Sequence, residues 1–180
     1  MALQARSGEQ ALTVSKAWRT TLPASTMALR YHVQILAALG RPAEAAEPVR
    51  SWLSRSSTAE RLSILASLPR LFVRGEAAPA AAQMIEDAAS SYMDDSKADS
   101  PREAALVAAG RAWLMAGEHA KALGFARQAI QLDPQSVGAL LLALELSPKL
   151  ADAEGLVGQA LRQPGLDPVV RLAYVRNLMQ

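Results

Sequence analysis

Apolar residues recur along this chain at intervals of three and four, in runs separated by short polar or glycine-bearing breaks. That spacing marks helices that bury one face. Over residues 58–74, Leu62, Ile64, Leu65, Leu68, Leu71 and Phe72 keep it throughout. Pro69 lies inside that run, where it removes one backbone donor and is expected to bend the helix without ending it. Read this way, the pattern predicts ten helices and no strands, over residues 9–21, 26–39, 42–54, 58–74, 77–93, 101–116, 119–132, 135–146, 149–162 and 167–179.

The breaks have a pattern of their own. Gly8-Glu9-Gln10-Ala11, Gly40-Arg41-Pro42-Ala43, Gly75-Glu76-Ala77-Ala78 and Gly117-Glu118-His119-Ala120 share a glycine followed three residues later by alanine, at spacings of 32, 35 and 42 residues. Glycine just past a helix takes the left-handed cap conformation without steric cost, so each is expected to be a tight corner between two helices. A fifth corner is expected at Ser147-Pro148-Lys149-Leu150-Ala151, 30 residues after Gly117. The long third interval maps onto a polar run near 94–100, expected to be a loop. After it, Ser100-Pro101-Arg102-Glu103 reads as an N-cap, a first-turn proline and a glutamate that together start a helix.

Residues 103–136 form one complete helix-turn-helix unit of 34 residues, with Leu106, Ala109, Gly110, Trp113, Gly117, Ala122, Ala129 and Pro134 at its key places. In this the window resembles the tetratricopeptide repeat. Window 26–59 is similar at Leu29, Leu36, Gly40 and Ala45 but carries His32 and Trp52 where small residues are usual; window 61–94 keeps Ile64, Leu71, Gly75 and Ala80 and departs at Pro69 and Asp87. The resemblance implies an all-α fold, a right-handed α-α superhelix of antiparallel helix pairs, as one repeat domain over residues 1–180. Small side chains at Gly110, Ala122 and Ala129 would let the helices approach, with Trp113 filling the space between them. It also implies a protein- or peptide-binding scaffold without catalysis, whose first helices line a concave face. Carried over position by position, that face holds Arg30, Gln34, Leu65, Phe72, Arg111, Met115, Leu141 and Glu145. The family's clamp for a terminal carboxylate, lysine and asparagine on consecutive first helices, is absent: Arg30 with Gln34, Leu65 with Pro69 and Val107 with Arg111 stand there instead. As a whole the chain is similar to alanine-rich repeat proteins of bacteria, many of which carry a signal peptide or lipid anchor upstream.

Composition adds constraints more than chemistry. The chain has 180 residues, 51% hydrophobic and 20% charged, the size and make-up of one folded domain. Without cysteine it has no disulfide or thiolate metal site, and its net charge of +2 does not point to nucleic acid. The most apolar run, residues 137–144, is too short to span a membrane. The compartment stays open: cytoplasmic, or periplasmic or envelope-bound if a signal stands upstream. Only His32 and His119 could serve as histidine ligands or bases, and neither has a helical partner at metal spacing; no cofactor motif is present. His32 reads as packed between helices and His119 as solvated in a corner. Arg50, Arg55, Arg61, Arg70 and Arg74 crowd one stretch against Glu60, and Glu86, Asp87, Asp94, Asp95, Asp99 and Glu103 make the next one acidic. The first reading of these charges is solvated faces or pairs between adjacent repeats; the second is a docking patch for an acidic peptide. The helix over 167–179 has no downstream mate, and Val169, Leu172, Ala173, Val175 and Leu178 make it apolar. The expectation is a piece of a longer repeat protein, or a homo-oligomer joined through its terminal helices.

Overall fold

The computed structural model describes residues 2–94 and 101–179. Among them are ten α-helices and no strand: α1 (Ala2–Thr21), α2 (Thr26–Ala38), α3 (Pro42–Arg55), α4 (Thr58–Phe72), α5 (Ala78–Ala89), α6 (Arg102–Met115), α7 (His119–Leu132), α8 (Val137–Leu146), α9 (Ala151–Leu161) and α10 (Pro168–Leu178). Two short 3-10 segments, Gly75–Ala77 and Ser90–Tyr92, flank α5 and replace the ends of the single helix expected over 77–93. No helix among the described residues is long and apolar enough to cross a membrane.

The corners follow from backbone chemistry. Gly40 and Gly117 have φ of 66° and 85°, in the left-handed region. Each closes its helix in the same way: the glycine N–H donates to the carbonyl three residues back, Ala37 or Leu114, and the next N–H reaches five back, from Arg41 to Leu36 and from Glu118 to Trp113. These are paired bonds that satisfy the last carbonyls of a helix, and only glycine takes the required φ without strain. Gly75 is also left-handed, at φ 55°, and the Ser147-Pro148 corner separates α8 from α9 as expected. Helix starts are equally legible: Ser25, Ser136 and Asp167 accept from the first-turn N–H groups of α2, α8 and α10, and Ser57 forms a reciprocal capping box with Glu60 at α4.

The first glycine corner is a correction. Gly8 lies within α1, which runs unbroken from Ala2. A Cβ at Gly8 would stand 2.7 Å from Leu39 Cδ2, so this glycine serves the close approach of α1 to the end of α2. Pro69 does leave α4 continuous. Pro101 precedes α6 as its cap residue, one place earlier than expected, and Ser100 lies outside the described residues, as does most of the loop at 94–100.

Packing is local in the chain. Each substantial contact joins helices one or two places apart: α2 lies on α3, α4 on α5, α6 on α7 and α8 on α9, while α4, α6, α8 and α10 lie side by side in order. The contact faces are built from small residues. Ala105, Ala108, Ala109 and Ala112 of α6 and Ala122, Ala126 and Ala129 of α7 are almost wholly buried, which lets the two backbones close up. Gly110 marks the tightest point, since a Cβ there would lie 2.5 Å from Leu142 Cδ2 and 3.1 Å from Phe125 Cβ. Trp113, 3% exposed, fills the gap these small residues leave; its Nε1 donates to Glu86 Oε2 at 2.6 Å and Lys121 Nζ sits 3.8 Å from its ring centroid.

Two substitutions test this packing through the denaturant midpoint. Trp113→Ala is expected to cost about 3–5 kcal/mol, because it empties a large site and orphans a part-buried carboxylate. Gly110→Ala gains up to about 1 kcal/mol of helix propensity, yet the added methyl meets fully packed neighbours at a cost of about 1–3 kcal/mol. It is expected to come out net destabilising.

Candidate functional site

Where the facing residues are large or polar, the helices stay apart. α2 and α4 touch only lightly. Between them opens a groove of about 730 Å³, lined from α2 by Met27, Arg30 and Gln34, from α3 by Trp52, from α4 by Ser63, Ser67, Arg70 and Leu71, and by Arg74 just past the end of α4. The α4 side is set by sequence spacing: Glu60, Ser63, Ser67 and Arg70 recur at three and four and form one polar stripe. The stripe a step round the helix, Leu65, Leu68 and Phe72, is buried in the core.

The electrostatics of this groove are one-sided. Glu60, the carboxylate on its lining, is turned to the start of its own helix, accepting from the Ser57 N–H and hydroxyl at 2.8 Å each. Those bonds hold its carboxyl below the usual carboxylate range. Arg74 donates to the Arg70 carbonyl at 3.1 Å. Among the described residues no carboxylate pairs with Arg30, Arg70 or Arg74. Four arginines elsewhere are paired with carboxylates: Arg19 with Glu47, Arg41 with Glu9 and Glu44, Arg111 with Glu145, and Arg127 with Asp152.

A second groove, of about 620 Å³, runs between α1 and α3 and shows the contrast. Two of its three cations are paired with carboxylates, Arg19 with Glu47 at 2.8 Å and Lys16 with Glu44 at 3.9 Å, while Arg55 donates to the Pro23 carbonyl. His32, 3% exposed, lines it. The Ser15 hydroxyl donates to the Leu12 carbonyl at 2.9 Å, so the imidazole is the donor in the 2.8 Å contact between His32 Nδ1 and Ser15 Oγ. This serine has spent its hydrogen on its own helix, and the pair ties α1 to α2. His119 accepts from Lys149 Nζ at 2.8 Å, a contact between α7 and the α8–α9 corner that replaces the solvated state expected of it. No group of three or more potential ligands fit for a metal ion occurs among the described residues.

The eight side chains assigned to one concave face divide in the structure. Arg30 and Gln34 line the first groove together. Leu65 and Phe72 are 0% and 5% exposed and belong to the core, because positional transfer from the repeat pattern put them on the stripe of α4 that faces inward. Leu141 and Glu145 line another groove of about 690 Å³ with Leu172 and Arg176 of α10, and Arg111 reaches Glu145 at 3.0 Å. Met115 is exposed beyond them. The five-arginine stretch also divides: Arg50 is exposed on α3 outside the groove, Arg55 donates to the Pro23 carbonyl, and Arg61 donates to the Leu53 carbonyl at 2.8 Å and lies 5.6 Å from the Tyr92 ring centroid, leaving Arg70 and Arg74 at the groove. Met27, Ser63 and Ser67 were not singled out from the sequence, and Trp52 stood out only as a departure from the repeat pattern. The signal that could have found the serines is the three-and-four spacing of polar residues on α4.

His32 gives a pH prediction. Burial, then the charges of Arg19 and Lys16, push its pKa below 6.5 against the smaller opposing pull of Glu47 and Glu44. The folded state therefore prefers the neutral ring, and the unfolded chain binds the extra proton. The resulting stability is complete above about pH 6.5 and is lost as pH falls from there towards the folded value, by at most about 1.4 kcal/mol per pH unit. Melting temperature is expected to be flat from pH 8 to 7 and to fall towards pH 5.5; in His32→Gln the decline over that window should be shallower.

No family model, curated protein or solved structure matches this chain.

Proposed function

We propose that the chain is a scaffold of the tetratricopeptide type, whose stacked helix pairs form a superhelix that holds a protein or peptide segment and performs no reaction of its own. The observation that carries this reading is the open groove between α2 and α4, whose size falls within the range of about 300–1,000 Å³ common to ligand sites. Packing confined to helices one or two places apart supports the superhelix, since stacked repeats touch only their neighbours. So does the spacing of polar ties along the chain: Arg41 to Glu9, Ser136 to Glu103, Arg111 to Glu145 and the Asn177 amide to the Leu144 carbonyl join residues 32, 33, 34 and 33 positions apart. The chain exposes 10045 Å², whereas a compact monomer of 19.1 kDa exposes about 8,400 Å². An open array accounts for the excess.

A second reading has its own observation. Val169, Leu172, Val175, Leu178 and Met179 of the α10 segment are between 50% and 75% exposed, which favours self-association or packing on further repeats.

Selection of binders from a random peptide library separates the two. The scaffold reading expects enriched peptides that are lost from Ser67→Trp, which fills the groove at an exposed position, while the melting temperature holds. No enrichment, or equal enrichment by the filled variant, overturns it. Self-association expects sedimentation that depends on concentration and becomes monomeric in Leu172→Glu.

A further inference from the structure

We propose that the α2/α4 groove takes an extended peptide segment in which acidic side chains alternate with apolar ones. This rests on the scaffold reading and adds the chemistry of the occupant. The argument is charge complementarity. Arg30, Arg70 and Arg74 line one groove with no carboxylate partner among the described residues, while the single lining carboxylate, Glu60, is engaged in capping α4. In the α1/α3 groove two of the three lining cations, Lys16 and Arg19, are paired with carboxylates in place. Arg30, Arg70 and Arg74 are exposed, and three like charges lining one groove attract an anionic ligand, which relieves their mutual repulsion.

The position of the charges defines what kind of anion fits. Glu60 lies ten residues before Arg70 on α4, about 15 Å along the axis, so the basic end of the groove is well removed from the one acidic group. Arg70 stands in the last turn of α4 and Arg74 in the extended residues just after it, where one of its N–H groups donates to the Arg70 carbonyl; Arg70 is able to take a carboxylate in two parallel hydrogen bonds, and Arg74 keeps further N–H groups for the same ligand. Arg30 faces them from α2. Between these sites Met27, Trp52, Ile64 and Leu71 give apolar lining, and the hydroxyls of Ser63 and Ser67 stand on the wall. A point anion would leave the apolar surface unused. An extended peptide satisfies both, because successive side chains alternate in direction at about 3.3 Å per residue. A terminal carboxylate is not required, which fits the absence of lysine and asparagine at the clamp positions.

The test uses the 180-residue chain and fluorescein-labelled twelve-residue peptides read by fluorescence polarisation at 50 and 300 mM salt: one alternating Glu and Leu, one alternating Lys and Leu, one alternating Glu and Ser, and one alternating Ser and Leu. The Glu/Leu peptide is expected to bind at least tenfold more tightly than the other three and to weaken at the higher salt. The double variant Arg70→Glu, Arg74→Glu is expected to lose at least tenfold in affinity, and Arg162→Glu, an exposed arginine outside the groove, to bind unchanged; circular dichroism monitors folding of each. Equal loss from Arg162→Glu would show general charge attraction and overturn the proposal, as would equal binding of the Lys/Leu peptide. Tight binding of the Ser/Leu peptide that Ser67→Trp abolishes would sink the acidic occupant and leave the scaffold standing. Failure of all four peptides together with an empty library selection would remove both. If oligothymidylate displaced the Glu/Leu peptide at lower concentration than unlabelled peptide, the groove would be a nucleic-acid site and the proposal would fall.

Discussion

The distance between neighbouring helices is the constraint on which the rest of this structure depends, and side-chain size sets it. On α6 and α7 the facing positions are alanine almost throughout, with glycine at the closest point, so the two backbones come together and a single tryptophan can close the remaining space. Alanine gives little hydrophobic free energy of its own. It contributes by letting α4 and α8 close on α6 from either side: Leu65 and Leu68 of α4 and Leu142 and Leu146 of α8 are all fully buried in the same continuous core. The groove is the converse of this rule. Between α2 and α4 the opposed residues are arginine, glutamine, serine and tryptophan, which cannot interdigitate at alanine distance, and the gap they leave is the groove.

Which parts of this were legible from the sequence depends on whether the signal was local. The corners at Gly40 and Gly117 were, because a helix end needs a left-handed residue and an i+5 bond wherever it lies. Gly8 carries the same tetrapeptide signature and means something else, since glycine also permits two helices to cross closely, and only the position of Leu39 distinguishes the two uses. Leu65 and Phe72 were misplaced for a related reason. The rotation of α4 about its axis follows from its own apolar stripe at 65, 68 and 72, whereas transfer from a repeat pattern assumes a rotation that a degenerate repeat need not keep. The hydroxyls and guanidiniums of the groove lie on the opposite spacing, and counting polar residues at three and four along α4 would have recovered them.

Charge was legible as composition and opaque as pairing. A run of five arginines suggests one basic surface, yet these side chains leave their backbone in different directions. Arg55 and Arg61 cap carbonyls at the ends of neighbouring segments, while Arg70 and Arg74 reach the cleft. Similarly, Glu86 and Glu103, which read as part of an acidic stretch, serve Trp113 and Ser136 on adjacent helices. Pairing of this sort joins residues 27 and 33 positions apart, so it is decided by how the helices pack and cannot be seen in a window of sequence.

The apolar face of α10 and the groove between α2 and α4 invite different partners, and their sizes weigh against each other. An eleven-residue helix is about 16 Å long and 10 Å wide, so the strip that α10 offers is on the order of a few hundred Å². A stable interface between two copies buries about 800 Å² on each side. Self-association through α10 alone therefore falls short unless the adjoining surface of α8, with Leu141 and Pro148, is recruited as well. A peptide needs less. On the scaffold proposal it would lie in a groove of about 730 Å³ already open between α2 and α4 and lined from three helices.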